Sequence, residues 1–456
     1  MLTRKAGLPR QAPGLGGLRH PTQVIAVAFA SAVLLGSGLL SLPVATASGT
    51  RAPYLDALFT STSAVCVTGL ITVDTPHYWS TFGEVVILVL IQAGGLGIMT
   101  LATLFAVLVS RRLGLRARLL AQAETKALSL KDLRRVVRNI VLFSLGSEIV
   151  FAAALGTEFA LGHAMTPGHA LYQGLFHAVS AFNNAGFSLH SDSLMGYADD
   201  PWVTLTVAAA VVLGGLGFPV LFELRRSWRR PRTWSVLTRV TLALTAVLLL
   251  LGTFVLTAAE YTNPETLGPM PTWQKWLAGL FASVNARTAG FNGIDTSEQG
   301  PESLMATDIL MFIGGGSAGT AGGIKVTTFG VLAFVIWAEI RGEPGVRVGR
   351  RRIPETNQRQ ALAIALVGIA AVLLATFVLL GLSGYRLDRV LFEAISAFST
   401  VGLSTGITDG LSPAGQGVLI ALMFIGRIGP LTLASALALR HRARRYELPE
   451  ERTIVG

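Results

Sequence analysis

Residues 391–403 read Leu-Phe-Glu-Ala-Ile-Ser-Ala-Phe-Ser-Thr-Val-Gly-Leu, and this stretch decides the fold because the chain contains four versions of it. Each version begins with Leu-Phe, continues through small residues, and ends with a glycine followed by a large apolar residue. The other versions are 58–70, 175–187 and 280–291. The phenylalanine and the glycine are 10, 10, 9 and 10 residues apart, and successive glycines are separated by 117, 104 and 112 residues. Chance similarity does not produce this regularity, so the chain is built from four repeats.

An apolar segment precedes each version, and a second glycine cluster follows it. The apolar segments are 22–46, 138–161, 236–259 and 360–383. Each is long enough to cross a bilayer, which takes about 20 residues. The second clusters follow the first glycines by 24 to 28 residues and are Gly94-Gly95-Leu96-Gly97, Gly214-Gly215-Leu216-Gly217, Gly314-Gly315-Gly316 and Gly426-Arg427-Ile428-Gly429. The pattern predicts an all-α integral membrane protein with four helix, pore-helix, helix repeats around a pseudo-fourfold pore.

The composition agrees with a membrane protein. Hydrophobic residues make up 51% of the chain and charged residues 14%, whereas soluble domains average about 25% charged residues. The net charge is +11, and 30 of the 37 basic residues fall in five stretches: 1–20, 110–138, 225–239, 341–359 and 440–452. Two crossings separate consecutive stretches, so all five lie on one side, which the positive-inside rule makes the cytoplasm. Both termini are therefore expected in the cytoplasm, and nucleic acid is not predicted as a partner.

These features divide the chain into nine predicted segments. They are a cytosolic N-terminal segment (1–21), repeat 1 (22–110), a basic cytosolic loop (111–136), repeat 2 (137–224), a cytosolic loop (225–234), repeat 3 (235–340) with its second helix broken at 314–325, a cytosolic loop (341–357), repeat 4 (358–440) and a cytosolic C-terminal tail (441–456). A signal peptide is the alternative for the first segment and helix. The apolar run 24–42 is longer than the roughly 7 to 15 residues of a signal-peptide core, so a retained helix is favoured.

Little in the sequence points to catalysis. Cys66 is the only cysteine, which excludes a disulfide framework, and the seven histidines form no HExxH pair. His163 and His169 are six residues apart in a predicted external loop, where a solvated turn is favoured over a metal site. No enzymatic activity is therefore predicted.

The four half-helices suggest how the pore selects its solute. A half-helix whose C-terminal end points at the centre presents the negative end of its dipole, and four such ends favour a cation. Glycine in the following segment allows carbonyl oxygens to turn inward and replace the water around a monovalent ion. The predicted filter segments are Val67-Thr68-Gly69, Asn184-Ala185-Gly186, Thr288-Ala289-Gly290 and Thr400-Val401-Gly402. Simple helix packing is the alternative for glycines, and it explains Gly94, Gly97, Gly214 and Gly217 equally well, but not the four filter glycines.

At this point the chain resembles the Trk/Ktr/HKT superfamily of potassium transporters, over residues 22–456. The resemblance is carried by residues 283–292, 314–328, 424–432 and the tail 449–456, and by Thr400-Val401-Gly402, which is the filter segment nearest to that of potassium channels. Only about twenty polar residues precede the first helix, whereas Trk-type members usually carry two further N-terminal crossings. The Ktr type of membrane subunit is therefore favoured.

The resemblance implies most of what is expected of the function. The transported ion is K⁺, bound at the filter, with Na⁺ as a further candidate ion. The chain is expected to act in the bacterial cell membrane as a homodimer on a KtrA-type cytosolic regulatory ring, and the tail 447–456 is a candidate dimer contact. No nucleotide motif occurs in the sequence, so nucleotide acts only through that partner. The basic loops, above all 111–138, could bind anionic membrane lipids or a soluble subunit.

A glycine-rich stretch within repeat 3 is the predicted gate. Six glycines fall within ten residues, which no continuous helix tolerates at about 1 kcal/mol for each interior glycine. A phosphate-binding loop is the alternative, but the stretch lacks the Gly-Lys-Ser/Thr junction and its flanks are membrane crossings. The resemblance implies an intramembrane loop that obstructs the cytoplasmic half of the pore. The gate residues are Gly314, Gly315, Gly316, Gly319, Gly322, Gly323, Lys325 and Arg427.

Two arginines depart from the apolar pattern. Arg287 replaces an apolar or polar residue at the end of the third half-helix, which is one residue shorter, so this end is expected to be held differently. Arg427 lies in a long apolar run, where a guanidinium costs about 2.5 to 3.5 kcal/mol and must face polar groups. It either fastens neighbouring helices through their carbonyls or acts as an electrostatic barrier and anchor for the glycine-rich loop.

One rival class of transporter remains. Ion-coupled secondary transporters also build their sites from broken helices at the middle of the membrane. They usually contain two repeats of about five crossings, whereas four short repeats that each carry a half-helix favour a channel-like pore. A sodium-coupled secondary cation transporter of the same superfamily is therefore kept as the alternative.

Overall fold

The computed structural model describes residues 21–111, 130–349 and 351–429 and contains the four predicted repeats. Its first half comprises eight helices: α1 (Pro21–Leu40), α2 (Tyr54–Cys66), α3 (Thr75–Tyr78), α4 (Thr81–Arg111), α5 (Leu130–Leu161), α6 (Pro167–Phe182), α7 (Pro201–Leu216) and α8 (Phe218–Ser227). The second half comprises α9 (Val236–Glu260), α10 (Thr272–Asn285), α11 (Pro301–Phe312), α12 (Val326–Ile340), the hairpin β1 (Arg347–Val348) and β2 (Arg351–Arg352), α13 (Glu355–Leu382), α14 (Leu387–Ser399) and α15 (Pro413–Ile428). The predicted all-α fold is confirmed.

Each repeat has an outer helix, a short pore helix and an inner helix. The pore helices are α2, α6, α10 and α14, and each packs on the outer helix that precedes it, namely α1, α5, α9 and α13. Between repeats, each inner helix packs on the pore helix of a neighbouring repeat: α4 on α6, α7 on α10, α11 on α14 and α15 on α2. Because α15 returns to α2, the four repeats close into a ring.

Several helices are apolar and long enough for a membrane. In the described part of the chain, residues 135–161, 236–260 and 355–382 meet the length and hydropathy of a crossing. Shorter apolar helices cover 25–40, 81–97, 326–340 and 413–428. The outer helices expose leucines, valines and phenylalanines that can contact lipid, such as Leu250, Leu374 and Phe377. The chain is a multi-pass membrane protein.

The inner helices differ more than the sequence pattern predicts. The break in repeat 3 spans 313–325, as expected from its glycines, and the helix of repeat 1 runs unbroken through Gly94 and Gly97. Repeat 2 contains a further break, because α7 and α8 meet at an angle of 99°. Gly217 stands at this corner with φ 91° and ψ 142°, a conformation that a residue with a Cβ rarely adopts.

Some of the segments predicted as cytosolic loops contain secondary structure. Helix α5 begins at Leu130, so the last part of the predicted loop 111–136 is helical, and α8 extends to Ser227 inside the predicted loop 225–234. The predicted loop 341–357 contains the hairpin and the first residues of α13. The predicted segment 1–21 lies almost wholly outside the described residues, and the tail 441–456 and the motif residues 430–432 lie there entirely.

Candidate ion pathway

The pore helices of repeats 1 and 4 end directly before a predicted filter segment, those of repeats 2 and 3 end one and two residues earlier, and the backbone turns sharply in all four. The first residue of each segment has a positive φ: 56° at Val67, 57° at Asn184, 74° at Thr288 and 48° at Thr400. A left-handed conformation is unfavourable for residues with a Cβ, by about 1 to 2 kcal/mol. Four such residues at equivalent positions therefore indicate a conformation that the surrounding structure imposes.

The filter glycines, two residues further along the chain, also have positive φ. Their φ values are 93° at Gly69, 69° at Gly186, 77° at Gly290 and 98° at Gly402. Positive φ at the first and third residues is incompatible with a flat extended strand, whose carbonyls alternate in direction. Each segment is therefore a repeatedly turned backbone that ends in glycine.

The four glycines face one another in a closed ring. A Cβ added to Gly69 would lie 3.1 Å from the Cα of Gly186, and one added to Gly186 would lie 3.1 Å from the Cα of Gly290. A Cβ added to Gly290 would lie 3.0 Å from the Cα of Gly402, and one added to Gly402 would lie 3.0 Å from the Cα of Gly69, which closes the ring.

In each step of the ring the added Cβ would also meet a backbone carbonyl oxygen. The oxygens belong to the middle residue of the neighbouring segment: Ala185, Ala289, Val401 and Thr68. The backbones therefore approach so closely that only glycine fits at these four positions.

Side chains of the pore helices hold the turned segments from behind. The hydroxyls of Ser63 and Ser396 accept hydrogen bonds from the amides of Gly69 (3.0 Å) and Gly402 (3.1 Å). The Ser180 hydroxyl donates to the Phe187 carbonyl at 2.8 Å. In the shorter third repeat, the Asn285 side chain takes this role and accepts from the amide of Phe291 at 3.2 Å. The non-glycine residues of the four segments are fully or almost fully buried.

A cavity of about 370 Å³ opens on one side of the ring. All four filter glycines line it, and so does one aspartate from each repeat: Asp74, Asp192, Asp295 and Asp409. His190 also lines this cavity, and burial lowers its pKa from the ordinary value of 6.5, with nearby histidines acting in the same direction and Asp192 opposing them. His190 is therefore neutral at pH 7, and the four carboxylates give the cavity a negative potential.

The glycine-rich stretch lies against the other side of the ring. A Cβ on Gly322 would overlap the side chain of Thr400, and one on Gly314 would lie 3.4 Å from a methyl group of Thr288. The hydroxyl of Thr320 donates to the side-chain oxygen of Asn184 at 2.6 Å. The stretch thus touches the first filter residue of repeats 2, 3 and 4.

Backbone hydrogen bonds fasten this stretch to the broken inner helix of repeat 2. The amide of Gly316 donates to the carbonyl of Gly215 at 2.7 Å, and the amide of Thr320 donates to that of Gly214 at 3.3 Å. On its other side, the amide of Gly314 donates to the carbonyl of Ile324 at 2.9 Å, which closes the stretch into a loop. The break at Gly217 is therefore part of the same assembly, because a Cβ there would overlap the Ser317 carbonyl.

Two buried arginines and the partly buried Lys325 contact this loop through carbonyl oxygens. Arg427 is 4% exposed and donates to the carbonyls of Thr320 and Gly94, the latter at 3.3 Å. Arg287 donates to the carbonyls of Gly314 (3.1 Å) and Thr245 (3.5 Å), so the third pore helix is held differently, as predicted. The ammonium of Lys325 donates to the Ala321 carbonyl at the end of the loop.

The second glycine clusters are packing positions in three repeats. A Cβ on Gly94, Gly214 or Gly426 would overlap the carbonyl oxygen of Val65, Phe182 or Phe398 respectively. Each of these oxygens belongs to the residue four before a filter glycine. The packing interpretation is therefore correct for Gly94 and Gly214, whereas Gly217 forms the break. A Cβ added to Gly97 would lie 3.8 Å from the ring of Phe29.

Sequence reasoning missed two features of the pathway. The aspartates follow the filter glycines by 5, 6, 5 and 7 residues, a repeated acidic position that the alignment of the repeats could have revealed. The contacts of Thr320 with Asn184 and Arg427 had no sequence signal. Of the histidines considered, His163 pairs with Asp200 at 3.0 Å, and not with His169; together with Glu158 it forms a group of potential metal ligands within 4.8 Å of one another.

The fold and the ring define a multi-pass membrane protein with four pore-helix repeats in one chain. Residues 17–447 match the family model described as TrkH, cation transport protein. The Ktr system potassium uptake protein B of Vibrio alginolyticus is 40% identical over 435 residues, which is 95% of this chain and 94% of that protein. The potassium/sodium uptake protein NtpJ of Enterococcus hirae is 35% identical over 447 residues, 96% of this chain and 97% of the relative.

The fold has also been seen in a solved structure. The potassium transporter TrkH from Vibrio parahaemolyticus matches with a TM-score of 0.73 at 19% identity, over 93% of this chain and 86% of that one. At this identity the match concerns the fold alone. The family model and the relatives together identify the chain as a member of the TrkH family of cation transport proteins.

Proposed function

We propose that the chain takes up K⁺ through the ring formed by Gly69, Gly186, Gly290 and Gly402. The observation that carries this proposal is the closed ring itself, in which the backbone carbonyls of one segment lie against the glycine of another. Four pore-helix C-termini and four aspartates add negative potential on the same axis. A relative with 40% identity is named for potassium uptake.

The filter in this proposal comprises twelve residues: Val67, Thr68, Gly69, Asn184, Ala185, Gly186, Thr288, Ala289, Gly290, Thr400, Val401 and Gly402. The hydroxyls of Thr288 and Thr400 are buried and have no hydrogen-bond partner among the residues that the structure describes. Buried polar groups rarely remain without a partner. A dehydrated cation beneath the ring would provide one for each hydroxyl oxygen.

The loop 313–325 is the proposed gate. Its contacts with Asn184, Thr288 and Thr400 support this role, because an ion that left the proposed filter on this side would meet the loop. For the gate to open, the carbonyl of Thr320 must separate from the guanidinium of Arg427, or the loop and Arg427 must move together. Arg427 therefore acts as an anchor that favours the closed loop and places a positive charge on the ion path.

The proposed partners are supported by the name of one relative. The name of the Vibrio alginolyticus protein describes one component of a Ktr system. We assign to this chain the translocating role in such a system, as a homodimer on a KtrA-type cytosolic ring that carries any nucleotide dependence. We also propose that the chain lies in the bacterial cell membrane with both termini in the cytoplasm. Its basic loops would bind membrane lipids.

Sodium is the second candidate ion, either alongside K⁺ or as the coupling ion of a secondary transporter. The observation that favours it is the 35% identity to a potassium/sodium uptake protein. Three of the four filter segments also differ from the Thr-Val-Gly form of repeat 4. A selectivity lower than that of a symmetric channel is consistent with this asymmetry.

The test is K⁺ uptake in a bacterium that lacks its own K⁺ transporters. The chain is expressed with and without a KtrA-type subunit, and the Gly290→Ser and Gly402→Ser variants are compared with Gly417→Ser. Gly417 has open space around it, so the same chemical change there is harmless. The proposal requires loss of uptake or gain of Na⁺ permeation in the first two variants only. If the filter variants behave as Gly417→Ser does, the secondary-transporter alternative takes first place.

A further inference from the structure

A buried glutamate lies behind the filter of repeat 4. Glu393 is in α14, nine residues before Gly402, and its side chain is 0% exposed. Its Oε1 accepts hydrogen bonds from the hydroxyl of Ser404 and from the amide of Thr405, the latter at 3.2 Å. Its Oε2 accepts from the hydroxyl of Thr408 at 3.2 Å. The carboxylate thus binds three groups of the segment that follows the filter.

This segment forms part of the mouth above the glycine ring. Ser404, Gly406, Thr408 and Asp409 all line the 370 Å³ cavity, together with the filter glycines. Glu393 therefore connects the pore helix to the wall of the cavity and holds the backbone on the outer side of Gly402. Its position is fixed in turn by close packing, because the neighbouring Phe392 and Ala394 are 0% exposed.

The other repeats carry different residues at the position directly after the Leu-Phe pair. In repeat 1 it is Thr60, whose hydroxyl has no hydrogen-bond partner among the described residues, and in the shorter repeat 3 it is Ala282. In repeat 2 it is His177, whose Nε2 is 3.0 Å from the hydroxyl of Ser188 and whose ring stacks on that of His190. At this position a carboxylate with three donors occurs in repeat 4 alone. Burying a carboxylate is unfavourable unless its hydrogen bonds are fully formed, so this one rigidifies its surroundings more than the others.

We propose that Glu393 is a positioning residue that sets ion selectivity by fixing the outer segment 404–408 against the filter of repeat 4. This inference rests on the proposed function, because it assumes that the glycine ring is the selective site. In repeat 4 the Ser396 hydroxyl accepts from the amide of Gly402, and Glu393 holds the segment that follows it. The asymmetry of the ring therefore has a structural cause outside the filter residues themselves.

A second buried glutamate provides a matched control. Glu260 is also 0% exposed and accepts three hydrogen bonds, from Asn263 (2.6 Å), Thr266 (2.6 Å) and the amide of Gly300 (2.9 Å). None of these three partners lines the cavity above the ring. Glu260→Gln therefore reproduces the loss of a buried, triply hydrogen-bonded carboxylate without touching the mouth of the filter.

The experiment measures the K⁺/Na⁺ permeability ratio of the purified protein in liposomes. Glu393→Gln is expected to lower the ratio by about tenfold, because hydrogen bonds to a charged carboxylate are replaced by weaker ones to a neutral amide. Glu260→Gln should leave the ratio within about twofold of the wild type. Thr408→Val removes one donor and keeps the carboxylate, so it should give a smaller decrease. Thr408→Val also decides the matter where Glu393→Gln does not yield folded protein.

A ratio that remains at the wild-type value in Thr408→Val and in folded Glu393→Gln overturns the inference, provided that Gly402→Ser changes it. An equal decrease in Glu260→Gln also overturns it, because the effect would then be general loss of structure. If even Gly402→Ser leaves the ratio unchanged, the proposed function fails, and the role of Glu393 fails with it.

Discussion

Gly402 in the last repeat lies against Gly69 in the first, so closely that a Cβ on Gly402 would be 3.0 Å from the Cα of Gly69. The two residues are 333 positions apart in the sequence. Their contact closes a ring whose other three joints link consecutive repeats. One chain thereby produces the fourfold arrangement that separate subunits would otherwise have to supply.

Removing the Arg427 guanidinium tests the gate. We expect Arg427→Ala to increase K⁺ leak in the absence of a regulatory subunit by about tenfold, since two hydrogen bonds from a charged donor are lost. Flux into liposomes measures this. Arg386→Ala, which removes an exposed arginine outside the pathway, is the control. Unchanged or slower leak would mean that Arg427 only fastens helices together.

The hydrogen bond between Thr320 and Asn184 provides a milder test of the same gate. Thr320→Val keeps the shape of the side chain and removes the donor of a 2.6 Å bond between the loop and the filter. We expect the open state to become more populated, by about fivefold for one neutral hydrogen bond. Stopped-flow uptake of K⁺ reports this, with Thr328→Val as the control. Equal rates in both variants would disprove the coupling of loop and filter.

The four aspartates above the ring should act on ion entry. Replacing Asp74 and Asp409 by Asn is expected to lower the K⁺ uptake rate by about threefold at low ionic strength and little at high salt, because surface charges are screened. The exposed Asp199 offers a control outside the cavity. A decrease that does not depend on salt would point to damage of the fold and not to electrostatic attraction.

Packing of the inner helices on the pore helices should dominate stability. Gly214→Val places a side chain against the Phe182 carbonyl, and such overpacking costs about 1 to 3 kcal/mol or more. We expect a lower thermal unfolding temperature in detergent. Gly38→Val, at a position with open space, is its counterpart in an outer helix. Equal unfolding temperatures of Gly214→Val and Gly38→Val would show that the inner and pore helices are not in close contact at Gly214.

Much of the fold was predictable because its determinants are local. The Leu-Phe to glycine spacing recurs four times, and each version forms a pore helix followed by a left-handed turn, as at Val67 and Gly69. Length and hydropathy located all four outer helices, although α1 ends at Leu40 where the prediction was 46, and α5 begins at Leu130 where the prediction was 138. The break at 313–325 followed from the helix-breaking effect of six glycines.

The remaining features depend on contacts between distant segments. The break at Gly217 was not predicted, because a similar glycine cluster at 94–97 lies within an unbroken helix, and the loop 313–325 packs on Gly217. The partners of Arg427, the carbonyls of Thr320 and Gly94, lie 107 and 333 residues away. Polarity alone shows that such a residue needs partners but not which carbonyls provide them.

We propose above that the ring of four glycines is the selective site for K⁺. The K⁺/Na⁺ permeability ratio of Gly402→Ser in liposomes, compared with wild type and Gly417→Ser, tests this most directly. At φ 98° and in contact with the backbone of Thr68, a serine at position 402 must displace the ring. We expect the ratio to fall by at least about tenfold, because displaced carbonyls no longer match the dehydrated ion. An unchanged ratio in a folded Gly402→Ser protein would show that the ring is not the selective site.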